Sequence, residues 1–419
     1  MTAPFTAIEP AEFPWYDYAG YTFSLGLRLG DEAINSGHSG SAFDPAKGKP
    51  GISGGMGEQA QVAYDKQAAI LAAVGLSPAD VTRVVENVTI AGLDHYDEAR
   101  DVRLRVFGAH TPTVVTTVVE RLVRREALIE IEVHASPGGG VALVLADDGH
   151  GGITARRDTV REGHDGAVYL PTLLPIDDSG EIVAEGDIVG QYFYCLERAG
   201  SLLEKAGLSL SHLVNTVDYS TPATRERYPK IGRARKDLLG PVYPGAAGIL
   251  MSELHAPGVL CAIDAVASTY LPEVVNPGWS RYETLTYNPG LRAGSTLYMS
   301  GFASLDMVSQ QATHEGDLRA QAEATYGAIL ETLAVVGAGP EHLLSTVEYV
   351  TPEGLGDYRV VADVRRELLR SPYPASTGIV CGGLLRPEFL LEVVPTAVIP
   401  AAPGTSGAPA TGTGPAASA

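Results

Sequence analysis

Carboxylates set between apolar residues are the first side chains in this sequence that could do chemistry. The stretch "ALIEIEV" alternates apolar and acidic residues, the period of a half-buried strand, and places Glu130 and Glu132 on one face. A carboxylate in a partly desolvated cleft is a credible general base, because losing water penalises its charged form and raises its pKa. On a solvated strand the same residue only faces water. Glu392 sits in "LLEVV" with Val394 two residues on, and a related stretch has Ala262 followed by Asp264. Histidine and cysteine offer less. His150 and His164 lie near acidic residues in "DDGHGG" and "GHDG", too loosely for a metal site, so no metal and no cofactor is expected. Cys195, Cys261 and Cys381 are scattered and odd in number, which gives neither a disulfide framework nor a ligand spacing. Cys381 is read as core. No Gly-rich loop has the strand-to-helix context of a nucleotide site.

These residues recur because the chain repeats itself. Tyr243-Pro244 in "PVYPGAAGIL" and Tyr373-Pro374 in "SPYPASTGIV" stand 130 residues apart. The same shift pairs Gly186-Asp187 with Gly316-Asp317, Gln191 with Gln321, Tyr228 with Tyr358 and Arg235 with Arg365. A further copy lies 132 residues upstream, where Gln59, Gly75, Glu86, Tyr96 and Arg103 match Gln191, Gly207, Asp218, Tyr228 and Arg235. The chain therefore reads as three units, 20–136, 137–272 and 278–400, and a low-complexity tail, 401–419, expected to be disordered.

Each unit has the same element pattern. "YTFSLGLRLGDEAINSG" and "LTYNPGLRAGSTLYMSG" predict hairpins, and "QVAYDKQAAILAAVG" predicts a helix capped by Gly75. "RVVENVTIAG" reads as a strand and is followed by a second helix from about Tyr96 to Phe107. "TPTVVTTVVERL" and "ALIEIEVHAS" read as an antiparallel pair joined by a charged turn. The fold class is α+β: ββαβαββ units with helices on one face of a mixed sheet. Tyr96, Tyr228 and Tyr358 precede Arg103, Arg235 and Arg365 by seven residues on the second helix, one shared face suited to packing or inter-unit contacts. The joining segment 136–158 holds a strand candidate, "VALVLA".

Composition narrows the function classes. A formal net charge of −20 over 419 residues opposes nucleic-acid binding, which needs a basic surface. No apolar run approaches a membrane span, and "MTAPFTAIEPAEFPWYDY" lacks signal-peptide regions. The expectation is a cytoplasmic protein with a small-molecule substrate. Six lysines, none of them in the third unit, alongside abundant Ala, Gly, Val and Arg suggest a GC-rich bacterial genome.

The pattern resembles the Rid/YjgF family, which includes imine and enamine deaminases. The resemblance rests on Ser36-Gly37 in "NSGH", Ser300-Gly301 in "MSGF", the helix-Gly-strand runs and the terminal strand "LIEIEVHA", over about residues 20 to 400. Family members are usually homotrimers of one unit with pockets between neighbours. Three fused units imply an intramolecular pseudo-trimer with a barrel-like core, outer helices and pockets free to diverge. The resemblance implies that Glu130 and Glu392 position and activate water, with Ser36, Ser300 and Tyr287 as further catalytic candidates. Phe23 stands at the tyrosine position of the first unit, with Tyr21 nearby. The family arginine, which would grip a substrate carboxylate, is absent: Val114, Ala246 and Ser376 stand at its positions. Arg386, Ser376 and His38 are the substrate-binding candidates, His38 also as an acid or base near neutral pH. The second unit, with Pro171-Thr172, Ala246 and Ala262, is expected to be scaffold.

The function implied is hydrolysis or tautomerisation of a small imine or enamine, one without the usual α-carboxylate or with it held differently. One alternative is a non-catalytic small-molecule-binding or chaperone-like protein on the same scaffold. Another is a ring-opening amidohydrolase like cyanuric acid hydrolase or barbiturase, which also has three related units. Its expected Ser-Lys pairs are opposed by the absence of lysine in the third unit and of matching Ser-Gly-Gly motifs.

Overall fold

The computed structural model describes residues 3–146 and 151–399, so the 401–419 tail and His150 lie outside the described residues. Local chemistry sets the helices. The first unit carries α1 (Met56–Ala72) and α2 (Tyr96–Phe107), the second α3 (Ile188–Lys205) and α4 (Gly232–Leu238), the third α5 (Leu318–Val335) and α6 (Arg359–Leu368). Asp187 and Asp317 cap α3 and α5 by accepting the backbone N–H groups of Val189 and Ala320, both at 3.0 Å. The long helices are followed by Gly75, Gly207 and Gly337, all with φ between +69° and +80°, where the chain turns by the left-handed route that glycine allows.

Each unit contributes one mixed sheet. In the first, the order is Gly26–Leu29, Glu32–Asn35, Ile129–Ala135, Val81–Thr89, Thr113–Val119. The expected hairpins form at Gly26–Leu29 with Glu32–Asn35 and at Gly290–Ala293 with Thr296–Met299. The expected pairing of the two strands that end the first unit does not form. Thr113–Val119 and Ile129–Ala135 are not paired with each other. Val81–Thr89 lies between them, parallel to the former and antiparallel to the latter.

The residues between those two strands explain the difference. Instead of closing a turn, Arg121–Leu122 cross to pair with Ala375–Val380, adding a strand to the third sheet. Gly383–Leu384 likewise pair with Gly245–Leu250 and extend the second sheet. Lending strands covers edges that would otherwise expose unpaired backbone groups.

One face of every sheet packs on its own helices. In Ile129–Ala135, Ile129, Ile131 and Val133 are buried there against Tyr64, Ile70 and Val102. The opposite faces meet those of the other two sheets in a shared apolar core that includes Leu122, Tyr219, Ile249, Tyr349 and Cys381. Below it lies a cavity of about 110 Å³ lined by all three units. There Arg83 of the first unit pairs with Asp264 of the second, and the Tyr219 and Tyr349 hydroxyls bond at 2.7 Å.

The repeated Tyr and Arg tie each second helix to its sheet, although only Tyr96 lies within its helix: Tyr228 and Tyr358 stand just before α4 and α6. The Glu86 carboxylate accepts from the Tyr64 and Tyr96 hydroxyls, each at 2.7 Å, and from Arg103. Asp218 accepts from Tyr192 and Tyr228 and pairs with Arg235; Glu348 accepts from Tyr326 and Tyr358 and pairs with Arg365. These are buried charges whose phenol and guanidinium donors replace lost water.

Candidate functional site

Two cavities open where the sheets meet. One, of about 310 Å³, lies between the second and third units; the other, of about 220 Å³, lies between the first and third. Each has one wall made by the terminal strand of one unit and another made by the second helix and parallel strand of its neighbour. Glu392 lines the larger cavity and Glu130 the smaller.

Strand register brings these carboxyls beside the Ser-Gly segments. Ser39 pairs with Glu130 and Ala303 with Glu392, so Gly37 and Gly301 face the two carboxyl groups. A Cβ on Gly37 would stand 2.5 Å from Glu130 Oε1, and one on Gly301 would overlap Glu392 Oε1. Glycine is present because a carboxyl must lie against the backbone. In the second unit Leu173 faces Ile263, which puts Thr172 at the glycine position and Ala262 at the glutamate position. With no carboxyl to accommodate, the Thr172 hydroxyl fills the space. It accepts the Thr116 N–H at 2.7 Å, beside a buried His255.

Ser36 and Ser300 act on backbone. Ser36 Oγ donates to Ser24 O at 2.6 Å and accepts the Ser376 N–H at 2.8 Å. Ser300 Oγ donates to Asn288 O at 2.6 Å and accepts the Ala246 N–H at 2.9 Å. Each hydroxyl thus binds a strand of the adjoining unit, Ser36 the third unit's and Ser300 the second's, at the position of the family arginine. At one of these, Ser376 Oγ accepts from Arg365 and from Thr346, each at 3.1 Å.

Electrostatics separates the two carboxyls. Glu392 is 8% exposed and, among the described residues, has no hydrogen-bond or ion-pair partner. Burial alone pushes it up to about 8. Glu130 also rises to about 8, by burial first and then by Glu132, but here Lys66 and Arg124 pull the other way.

His38 departs from the expectation of an acid or base near neutral pH. Nε2 faces Leu25 O at 3.1 Å and so carries the proton, which leaves Nδ1 to accept the Tyr16 hydroxyl at 2.9 Å. Burial, with Lys66 nearby, pushes the ring down to about 3 and keeps it neutral. Tyr287 lines the larger cavity and accepts from Arg281 at 3.3 Å; burial raises its pKa, so it stays a phenol. Arg386 lines the same cavity and gives one N–H to Gln310 O at 2.8 Å.

Sequence reasoning missed Arg281, Arg124 and Lys66. Arg281 lies over the Tyr282 ring at 5.2 Å, and Arg124 lines the smaller cavity. Lys66, fully buried in α1, donates to Ser39 O at 2.6 Å and Ser41 Oγ at 3.1 Å. A signal for Arg124 was present: it stands six residues before Glu130, as Arg386 stands before Glu392, while Ala256 precedes Ala262.

No curated protein matches the chain. Among solved structures, a chorismatase is similar with TM-score 0.50 and 15% identity, covering 77% of this chain and 94% of its own. RidA from the Antarctic bacterium Psychrobacter sp. PAMC 21119 is 23% identical with TM-score 0.26, covering 28% of this chain and 90% of its own. E. coli TdcF with bound serine is 26% identical with TM-score 0.26, covering 31% and 97%. The family model described as Endoribonuclease L-PSP matches residues 18–136 and 281–399, the stretches that carry the two Ser-Gly and glutamate sets. The chain belongs to that family, the Rid/YjgF family.

Proposed function

We propose that this chain hydrolyses a small enamine or imine in the cavity between the second and third units, with Glu392 as the proton donor. The observation that carries this reading is a buried carboxyl on a cavity wall, unpaired among the described residues and held up to about 8, hence protonated at neutral pH. An enamine has an electron-rich carbon. Glu392 gives its proton to that carbon and the C=C bond becomes the C=N bond of an iminium ion. The Glu392 carboxylate then takes a proton from water as the oxygen adds to the iminium carbon. The resulting carbinolamine moves its hydroxyl proton to nitrogen and collapses, releasing ammonia and the carbonyl product. Stopping after the first transfer, with loss of the N–H proton, gives tautomerisation alone.

The other candidates take supporting parts. Tyr287 offers a phenol O–H, and Arg281 and Arg386 give the cavity the positive charge that Ala246 cannot. Ser300 acts through Gly301, holding the backbone against which the carboxyl lies. The test is ammonia release from 2-aminoacrylate generated in place. Turnover by the full chain that is lost in Glu392→Gln is the expected result. Buffer-level rates, or an active Glu392→Gln variant, would overturn the reading and leave a binding protein.

A second reading keeps the acid and changes the leaving group to an alcohol, as in enol-ether hydrolysis. What favours it is the likeness to a chorismatase across the fused architecture, not one unit. Chorismate is therefore the second probe in the same assay.

A further inference from the structure

We propose that the central cavity, the one lined by all three units, is a ligand site for a small uncharged amide. It lies where the three sheets face one another, apart from the cavities of Glu392 and Glu130, and does not depend on the reaction assigned to Glu392.

Broken symmetry supplies the first argument. Strand register sets one pair of inward side chains per unit at the same level: Arg83 with His134, Asn215 with Val266, and Ser345 with Thr396. The next level brings Glu132, Asp264 and Val394, each opposite a valine. Identical subunits around an axis would repeat every charge three times. Here one arginine, one histidine and two carboxyls stand in these levels, all from the first and second units. The third unit gives only small neutral side chains. The space beside them, about 110 Å³, holds a molecule of a few heavy atoms.

Charge supplies the second argument. The ions of the lining already have partners. Arg83 pairs with Asp264 and His164 with Glu32, while Glu132 accepts from the Asn87 amide at 3.1 Å and from the Thr377 hydroxyl. Burial raises the Glu132 pKa and lowers that of His134, which in both cases favours the neutral form. A charged guest would give up its water here and meet no free counter-charge, so the cavity suits an uncharged one.

Unused neutral groups supply the third. Asn215 gives its side-chain N–H to Met299 O at 2.8 Å, which leaves its Oδ1 as an acceptor. Among the described residues, that oxygen, the Ser345 and Thr396 hydroxyls and Nε2 of His134 have no protein partner. All four residues keep accessible surface on this inner face. Interior polar groups are ordinarily satisfied, so four together point to a guest. A primary amide matches them: its two N–H donors meet Asn215 Oδ1 and one hydroxyl, and its carbonyl accepts from the other. An alcohol brings a single donor.

The test is ¹⁹F NMR on the full chain with trifluoroacetamide as the probe. Trifluoroacetate is its charged counterpart, and N,N-dimethyltrifluoroacetamide lacks the N–H donors. We expect saturable binding of the amide, no displacement by trifluoroacetate, and about tenfold weaker binding of the dimethyl compound. Thr396→Val removes one hydroxyl at the same shape and should weaken binding about fivefold without lowering the thermal midpoint. Ser345→Leu fills the space and should abolish binding. Absence of saturable binding would mean that water alone fills the cavity, and would overturn the proposal. So would displacement by trifluoroacetate, equal binding of the dimethyl compound, or unchanged binding in either variant. None of these outcomes bears on Glu392, whose turnover is measured separately.

Discussion

Replacing Glu392 with Gln separates two effects of one buried carboxyl. Its pKa is raised in the fold to about 8 against an ordinary value of 4.5, so the native state holds a proton that the unfolded chain has released. Stability linked to this group is full below about pH 4.5 and falls as pH rises, until the folded carboxyl itself ionises near 8. Glu392→Gln should therefore raise the thermal midpoint at pH 8 relative to the parent and leave it little changed at pH 4.5, as scanning calorimetry would show. The same proton is the one spent in the proposed reaction, so kcat/KM should decline above about pH 8, a limb that disappears with activity in the variant. The buried charge clusters behave differently. Arg365→Met would leave Glu348 buried with only its phenol partners and should cost about 3–5 kcal/mol, measured by denaturant unfolding.

At the scale of elements, the Ser-Gly turn and the terminal strand work as a pair. Gly301→Ala would press a methyl group onto the Glu392 carboxyl, at a cost of about 1–3 kcal/mol and with loss of turnover. Gly327 makes the contrast. It lies inside α5 with nothing within 4 Å of an added Cβ, so Gly327→Ala should stabilise by about 0.5–1 kcal/mol without touching turnover. Paired measurements of unfolding and rate decide both. If Gly301→Ala kept full activity, the close packing of carboxyl on glycine would not be what holds Glu392 in place.

For the whole molecule, the lent strands matter most. Arg121–Leu122 belong in sequence to the first unit and in pairing to the third, and Gly383–Leu384 link the third to the second. The Arg83–Asp264 pair joins the first to the second across the central cavity. Units connected on every side should not melt separately. Calorimetry of the full chain should give one transition with equal calorimetric and van't Hoff enthalpies, and Leu122→Asp should lower that single midpoint. Two resolved transitions would mean that the shared core contributes less than each unit's own.

The sequence by itself determined the repetition, the α+β pattern, the limits of α2 and the absence of an arginine at Val114, Ala246 and Ser376. These follow from hydrophobic period, caps and spacing, which are local. The bounds of α2, the hairpins and the core position of Cys381 were legible in this way. Only the tertiary structure decided that Val81–Thr89 lies between two strands expected to pair, because the intervening residues are drawn to a neighbour's edge. It also neutralised His38, a loop histidine in sequence, by burying it between Tyr16 and Leu25 O. Along the chain Glu130 and Glu392 differ in the residue two places on, Glu132 or Val394. What packing adds is Lys66, which lies 64 residues from Glu130 and has Ala328 as its counterpart in the other's unit. Charge and desolvation act through space, so which carboxyl stands alone is a property of the packed molecule.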